Sequence, residues 1–102
     1  MHRNTWKRRE REVCARFGTT RKPVSGRQRD RGGDDGEHPR LHIQVKHGRQ
    51  NGREFALWDI AAAVAAGNGK VPVIAYTAPR RPEILVLCRI EDMEKVVKEV
   101  QP

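Results

Sequence analysis

The segment Leu41-His42-Ile43-Gln44-Val45-Lys46-His47 shows the clearest structural pattern in this 102-residue chain. Its apolar residues occupy every second position up to Val45, and polar residues stand between them. A period of two is typical of a half-buried β-strand, since successive side chains point to opposite faces. The sequence therefore predicts a strand over residues 41–46, with Gln44 and Lys46 side by side on its polar face.

An acidic run, Asp34-Asp35-Gly36-Glu37, comes just before this strand. A carboxylate followed by a Gln and a Lys two residues apart on one strand face is an arrangement suited to phosphodiester chemistry. The carboxylate and the Gln44 oxygen are hard ligands that Mg²⁺ accepts. The Lys46 ammonium is suited to orienting an attacking water or to neutralising charge that develops on a phosphate.

The series Asp35…Gln44-Val45-Lys46 resembles the D-x(n)-(E/Q)-x-K signature of the PD-(D/E)XK nuclease superfamily. Within that superfamily it is similar to small phage-type nucleases related to the archaeal Holliday-junction resolvases. The resemblance implies a three-layer α/β/α, restriction-endonuclease-like core with a small mixed β-sheet. It also implies a Mg²⁺-dependent endodeoxyribonuclease, with Mn²⁺ as a substitute, that acts on branched or junction DNA.

The resemblance assigns Asp35 and Gln44 as metal ligands and Lys46 as the residue that serves the attacking water. The chain departs from the pattern in two places. No proline precedes the aspartate and Gly36 replaces the usual apolar residue, so Asp34 stays an alternative ligand. Gln44 stands where most members carry Glu, and a neutral amide oxygen is a weaker Mg²⁺ ligand than a carboxylate. Glu37 is the candidate acid to compensate for the missing charge.

The first predicted helix runs from about Trp6 to Phe17, with Asn4 and Thr5 as candidate caps. Glu10 falls on its apolar face, where a carboxylate is costly unless it has a cation or donor partner. The residues alone leave two interpretations open: Glu10 pairs with an arginine at the core edge, or it belongs to a site. The resemblance implies the second, with Glu10 binding the metal directly or through water.

Positive charge is concentrated in the first half of the chain. Residues 1–53 carry 15 Lys and Arg against 6 Asp and Glu, whereas residues 54–102 carry 6 against 7. This segregation favours a nucleic-acid-binding surface over a merely soluble basic protein. Residues 18–37 are predicted to be a basic, flexible DNA-contacting loop region, although a solvated linker fits the same composition. The predicted phosphate contacts are Arg21, Lys22, Ser25, Arg27, Arg29 and His47, and for His42 a surface contact with DNA is favoured over a role as an acid.

The remaining pattern predicts one domain over residues 1–102 in the order α-β-β-α-β-β-α. It comprises an edge strand over 19–24, a helix over 54–66, central strands over 71–77 and 84–90, and a final helix over 91–100. Strand 41–46, helix 54–66 and strand 71–77 are predicted to form a βαβ unit. Cys14 and Cys88 lie in apolar patterns and are expected to be reduced core residues of a cytoplasmic protein. No apolar run is long enough to predict a membrane span.

The helix over residues 55–66 is apolar on every face, including Phe55, Trp58 and Ile60. Because one sheet covers one side of a helix, the other side needs a second copy of the chain or the N-terminal segment. A homodimer is predicted, which also suits a two-fold symmetric junction. Two other functions stay open: a non-catalytic nucleic-acid-binding module on a degenerate nuclease fold, and a basic assembly protein of a phage particle.

Overall fold

The computed structural model describes residues 2–22 and 34–102, with side chains from Thr5 onward. Over these ranges the chain is a small α/β domain of three α-helices and one three-stranded mixed sheet. The elements in chain order are α1 (His2–Arg16), β1 (Leu41–His47), α2 (Glu54–Gly67), β2 (Val71–Ala78), β3 (Arg81–Leu87), a 3₁₀ turn (Ile90–Asp92) and α3 (Met93–Glu99).

The sheet has the order β1-β2-β3. β1 and β2 are parallel and in register from Leu41 opposite Val71 to His47 opposite Thr77. α2 connects them, so the predicted βαβ unit is confirmed. β3 runs antiparallel to β2 after a tight turn in which Arg80 takes a left-handed conformation with φ 63°. The predicted small mixed sheet in an α/β domain is thereby confirmed.

The hydrophobic core lies on the apolar face of β1. Leu41, Ile43 and Val45 pack there against Val13 of α1 and Val96 of α3. Because side chains alternate along a strand, His42, Gln44 and Ile74 point to the opposite face, and all three are buried. α2 contributes no residue to this hydrophobic core and packs mainly on β2. It therefore lies against the opposite face of the sheet, where its buried residues are Ala61 and Ala65.

β3 differs from the prediction of a central strand over 84–90. It begins earlier, at Arg81, and it is an edge strand of the sheet over the described ranges. Leu85 is 55% exposed and Val86 45% exposed. A continuous apolar run does not distinguish a strand with two neighbours from one with a single neighbour, which is why the prediction was wrong. Arg9 of α1 stabilises the start of β3, since its Nη2 donates to the carbonyl oxygens of Arg81 and Glu83, both at 3.3 Å.

The other predicted boundaries shift by a few residues. α1 extends back to His2, and the final helix is shorter than predicted, with a 3₁₀ turn in its first residues. The edge strand predicted over 19–24 is reduced, within residues 19–22, to one isolated bridge between Arg21 and Gly36. Its last two residues lie outside the described ranges.

Part of the apolar surface of α2 is uncovered in the single chain. Phe55 is 84% exposed, while Trp58 is half-buried beneath the guanidinium of Arg89, whose Cζ lies 5.4 Å from the ring centroid. Ile90, just after β3, is 82% exposed. Over the described ranges no helix is long and apolar enough to span a membrane.

Candidate active site

α1 carries Glu10 on its inward face, where the side chain is almost fully buried at 3% exposure. The carboxylate accepts a hydrogen bond from Arg21 Nε at 2.5 Å. Arg21 also lies over the ring of Trp6, with its Cζ 5.8 Å from the centroid. The buried acid thus has the arginine partner that one of the two interpretations required. Arg21, predicted to contact phosphate, is placed inside the domain as that partner.

Asp35 lies beside β1 and is 1% exposed. Its backbone N–H donates to the carbonyl oxygen of Ile43 at 2.6 Å, and its Oδ2 accepts the N–H of Val45 at 2.7 Å. Lys22 N–H donates to the Asp35 carbonyl oxygen at 2.8 Å. These bonds fix the acidic segment alongside the strand that carries Gln44. The carboxylate therefore has a structural function whatever else it does.

Asp34, the alternative ligand, has a different environment. Its carboxylate forms ion pairs with Lys22 and with Lys70, the second at 3.4 Å. Burial opposes ionisation, but the hydrogen bond and charge of Lys22, helped by the charge of Lys70, outweigh it and lower the pKa of Asp34. Lys70 directly precedes β2, so Asp34 lies toward the amino ends of the parallel strands, whereas Lys46 is near their carboxyl ends. Lys22, predicted to contact phosphate, is the partner of this acid.

Gln44 and Lys46 share the polar face of β1, opposite Ile74 and Tyr76 of β2. Gln44 is buried at 7% exposure and Lys46 is half-buried. His42, on the same face, is fully buried at 0% exposure. The prediction of a surface contact for His42 was therefore wrong. The alternation along the strand correctly placed His42 on the same face as Gln44, but α2 packs against this face of the sheet.

A cleft of about 360 Å³ opens at the carboxyl end of β1. It is lined by Trp6, Glu10, Val45, Lys46, His47 and Gln50. Two predicted site residues separated by 36 positions, Glu10 and Lys46, thus face one opening. His47 is half-buried there, and its Nδ1 is 2.7 Å from Thr77 Oγ1. Asp35 and Gln44 are not among the lining residues of this cleft.

The buried thiol of Cys14 lies near both carboxylates. Burial, with additional effects from the charges of Asp35 and Glu10, raises the pKa of Cys14 to about 11. A Cβ added at Gly36 would be 3.0 Å from Cys14 Sγ, so the acidic segment packs directly on α1. Glu10 and Asp35 are consequently on the same side of the domain, around this thiol.

The oxygen atoms of Glu10, Asp35 and Gln44 are of the kind that Mg²⁺ and Mn²⁺ accept. No group of three or more His, Cys, Asp or Glu side chains that could hold a metal comes together within residues 2–22 and 34–102. Glu37, considered as a compensating acid, is exposed.

Three predicted phosphate contacts, Ser25, Arg27 and Arg29, lie outside the described ranges. Sequence reasoning missed several residues near the cleft, among them Trp6, Gln50 and Tyr76. The signal that could have found them is topological, because ligands bind at the carboxyl ends of parallel strands in α/β sheets. Residues 48–53, which connect β1 to α2, follow β1 at that end.

His38 has a structural function at the start of β1. Its Nδ1 accepts the backbone N–H groups of Arg40 and Leu41, both at 3.0 Å, and its Nε2 is 3.4 Å from Glu99 Oε1. Burial lowers the pKa of His38, and the nearby Glu99 only partly opposes this. Two donors at Nδ1 fix the neutral tautomer with its proton on Nε2. The same Glu99 forms a two-point ion pair with Arg40, at 2.5 and 3.0 Å, which ties α3 to the strand.

Comparison of this chain with protein families, with curated proteins and with solved structures gave no significant match.

Proposed function

We propose that this domain is a divalent-metal-dependent endonuclease that hydrolyses phosphodiester bonds in DNA, with branched DNA as its preferred substrate. The observation that carries the proposal is the shared cleft of Glu10 and Lys46, with the carboxylate of Asp35 nearby on the same side of the domain. An acid facing a basic nucleic-acid-binding half of a protein repels phosphate unless a cation bridges them. The preference for branched DNA rests on the resemblance to junction resolvases.

In the hydrolysis, a water oxygen forms a bond to phosphorus and the bond from phosphorus to the leaving ester oxygen breaks. The water gives up a proton and the leaving oxygen gains one. Lys46, half-buried in the cleft, has three N–H donors with which to orient the water or stabilise the negative charge on the phosphate. Glu10 and Asp35, on the α1 side of the sheet, would hold Mg²⁺, which when bound acts as a Lewis acid and lowers the pKa of its water. Gln44, predicted as a third ligand, points to the other face of β1, and the Gln44→Glu variant tests its part in metal binding.

Cleavage assays with the Lys46→Ala variant test this proposal. Labelled four-way junction, duplex and single-stranded DNA are incubated with Mg²⁺, with Mn²⁺ and with EDTA. We expect metal-dependent cleavage by the wild type, a loss of at least about 100-fold in the variant, and DNA affinity within a few-fold. Lys95→Ala, at an exposed position of α3, is the matched control. Wild-type cleavage by Lys46→Ala would overturn the assignment.

A second function, a non-catalytic nucleic-acid-binding module, is favoured by the bonds that the two acids already make. Glu10 is paired with Arg21, and Asp35 with the N–H of Val45. Such a module would bind DNA with a steep salt dependence, at a slope of roughly −0.9 per phosphate contacted, and would cut none of the substrates with either metal. Binding without cleavage would therefore select this alternative.

A further inference from the structure

A second cavity, of about 440 Å³, lies at the carboxyl ends of β1 and β2. Its lining includes Gln50, Asn51, Glu54, Tyr76, Thr77 and Leu85. The volume falls within the range of roughly 300–1,000 Å³ that is typical of small-ligand sites. Nothing in the proposed hydrolysis uses this cavity.

The cavity and the Glu10–Lys46 cleft share a wall. Gln50 lines both openings. Thr77 lines the cavity and His47 lines the cleft, and the two side chains are joined by the 2.7 Å contact between Oγ1 and Nδ1. A polymeric ligand that binds in the cleft through one group can therefore place a neighbouring group in the cavity.

The chemistry of the cavity suits a flat, polar, aromatic group. The hydroxyl of Tyr76 is buried and has no hydrogen-bond partner in the described part of the chain. Burial, with a smaller effect from the charge of Glu54, raises the pKa of Tyr76, so the phenol keeps its proton at neutral pH. A buried hydroxyl without a partner is costly, and a ligand with an acceptor atom removes that cost. Gln50 and Asn51 add side-chain amides, which have both donors and acceptors.

The rim of the cavity carries two guanidinium groups. Arg49 is exposed, and Arg81 is exposed and 2.8 Å from Glu83. Both residues line the opening. An aromatic, amide-bearing cavity with arginines at its rim matches a nucleobase with its attached phosphates, because bases stack on aromatic rings and phosphates pair with Arg.

We propose that this cavity takes an unstacked nucleobase from the DNA strand whose phosphate enters the Glu10–Lys46 cleft. The inference rests on the proposed function and adds to it a way of selecting the substrate. Unstacking a base costs least where stacking is already interrupted. A strand branch supplies such a base, whereas continuous duplex does not.

The test uses the full chain and a four-way junction carrying 2-aminopurine at each position next to the branch, in EDTA so that the DNA stays intact. Fluorescence of 2-aminopurine rises when the base leaves the stack. Leu85→Trp puts a bulky ring at the cavity wall on an exposed strand position. Val86→Trp, on the opposite face of the same strand and outside the lining, is the matched control. Tyr76→Phe removes only the hydroxyl.

We expect a several-fold fluorescence rise at one or more positions with the wild type and with Val86→Trp. Leu85→Trp should abolish the fluorescence rise. Tyr76→Phe should lower the equilibrium constant for entry of the base into the cavity, measured from the size of the rise, by about 10-fold. DNA that binds in EDTA without a fluorescence rise, and that is cut in a parallel assay with Mg²⁺, would overturn the cavity assignment alone, as would a full rise with Leu85→Trp. Absence of DNA binding, measured by anisotropy, would overturn the proposed function together with the cavity assignment.

Discussion

Substitution of Asp35 separates its structural function from the proposed catalytic one. The buried carboxylate accepts the Val45 N–H at 2.7 Å, and a hydrogen bond to a charged group contributes about 1.5–3 kcal/mol. Asp35→Asn keeps an acceptor oxygen and also removes a buried charge, so we expect a loss of only about 1 kcal/mol in the free energy of unfolding. Asp35→Ala leaves a buried N–H without a partner and should cost about 3 kcal/mol.

Urea unfolding at pH 7 measures both free energies, and junction cleavage with Mg²⁺ measures activity. Asp35→Asn should remain folded yet lose at least about 100-fold in cleavage rate, since a neutral amide replaces an anionic ligand. Asp34→Asn is the control, because Asp34 is held by Lys22 and Lys70 away from the cleft and its variant should still cut. Cleavage by Asp35→Asn at the wild-type rate would refute the catalytic function, and a free energy of unfolding for Asp35→Ala within about 0.5 kcal/mol of the wild-type value would refute the structural one.

Three further predictions concern other parts of the domain. His38 has a lowered pKa in the folded state, so protons bind more tightly to the unfolded chain and the free energy of unfolding should fall as the pH drops below about 6.5. Urea unfolding at pH 7.5 and pH 5.5 measures the difference between the two free energies of unfolding, and His38→Gln should reduce that difference. The same difference in the variant as in the wild type would contradict the assignment to His38. Gln44→Glu should tighten Mg²⁺ and Mn²⁺ binding in a calorimetric titration, because it adds an anionic ligand, and weaker binding would count against Gln44 as a ligand. The exposed Phe55 and Ile90 should lie in a homodimer interface, so sedimentation at micromolar concentration should show a dimer that Phe55→Asp dissociates; a wild-type species of 11.7 kDa at every concentration would argue against it.

The sequence was most informative where the spacing of apolar residues determines which face of a strand or helix a side chain occupies. The alternation in residues 41–47 placed Gln44 and Lys46 on one face, and only one register buries Ile43. Glu10 was correctly placed on the inward face of its helix by the 3.6-residue period. Local patterns of this kind depend on a few neighbouring residues, so they can be recognised without the rest of the fold.

The partners of these residues could not be predicted, because they depend on distant parts of the chain. Glu10 could have paired with any of several arginines, and its partner is Arg21. Lys70 reaches Asp34 from 36 residues away. His42 is buried because α2 packs against its face of the sheet, and an isolated strand pattern does not contain that information. Binding to nucleic acid stays a prediction of the segregated charge, and the metal and the branched DNA substrate stay predictions of the resemblance.

The packing around Cys14 makes its thiol a chemical probe of local opening at the candidate site. A thiol with no exposed surface and a pKa of about 11 is protonated and shielded in the folded state, so alkylating reagents reach it only when α1 separates from the sheet. Glu10 is on that helix and Asp35 on the segment packed against it. The alkylation rate of Cys14, compared with that of the half-buried Cys88, therefore reports how often the two acids move apart.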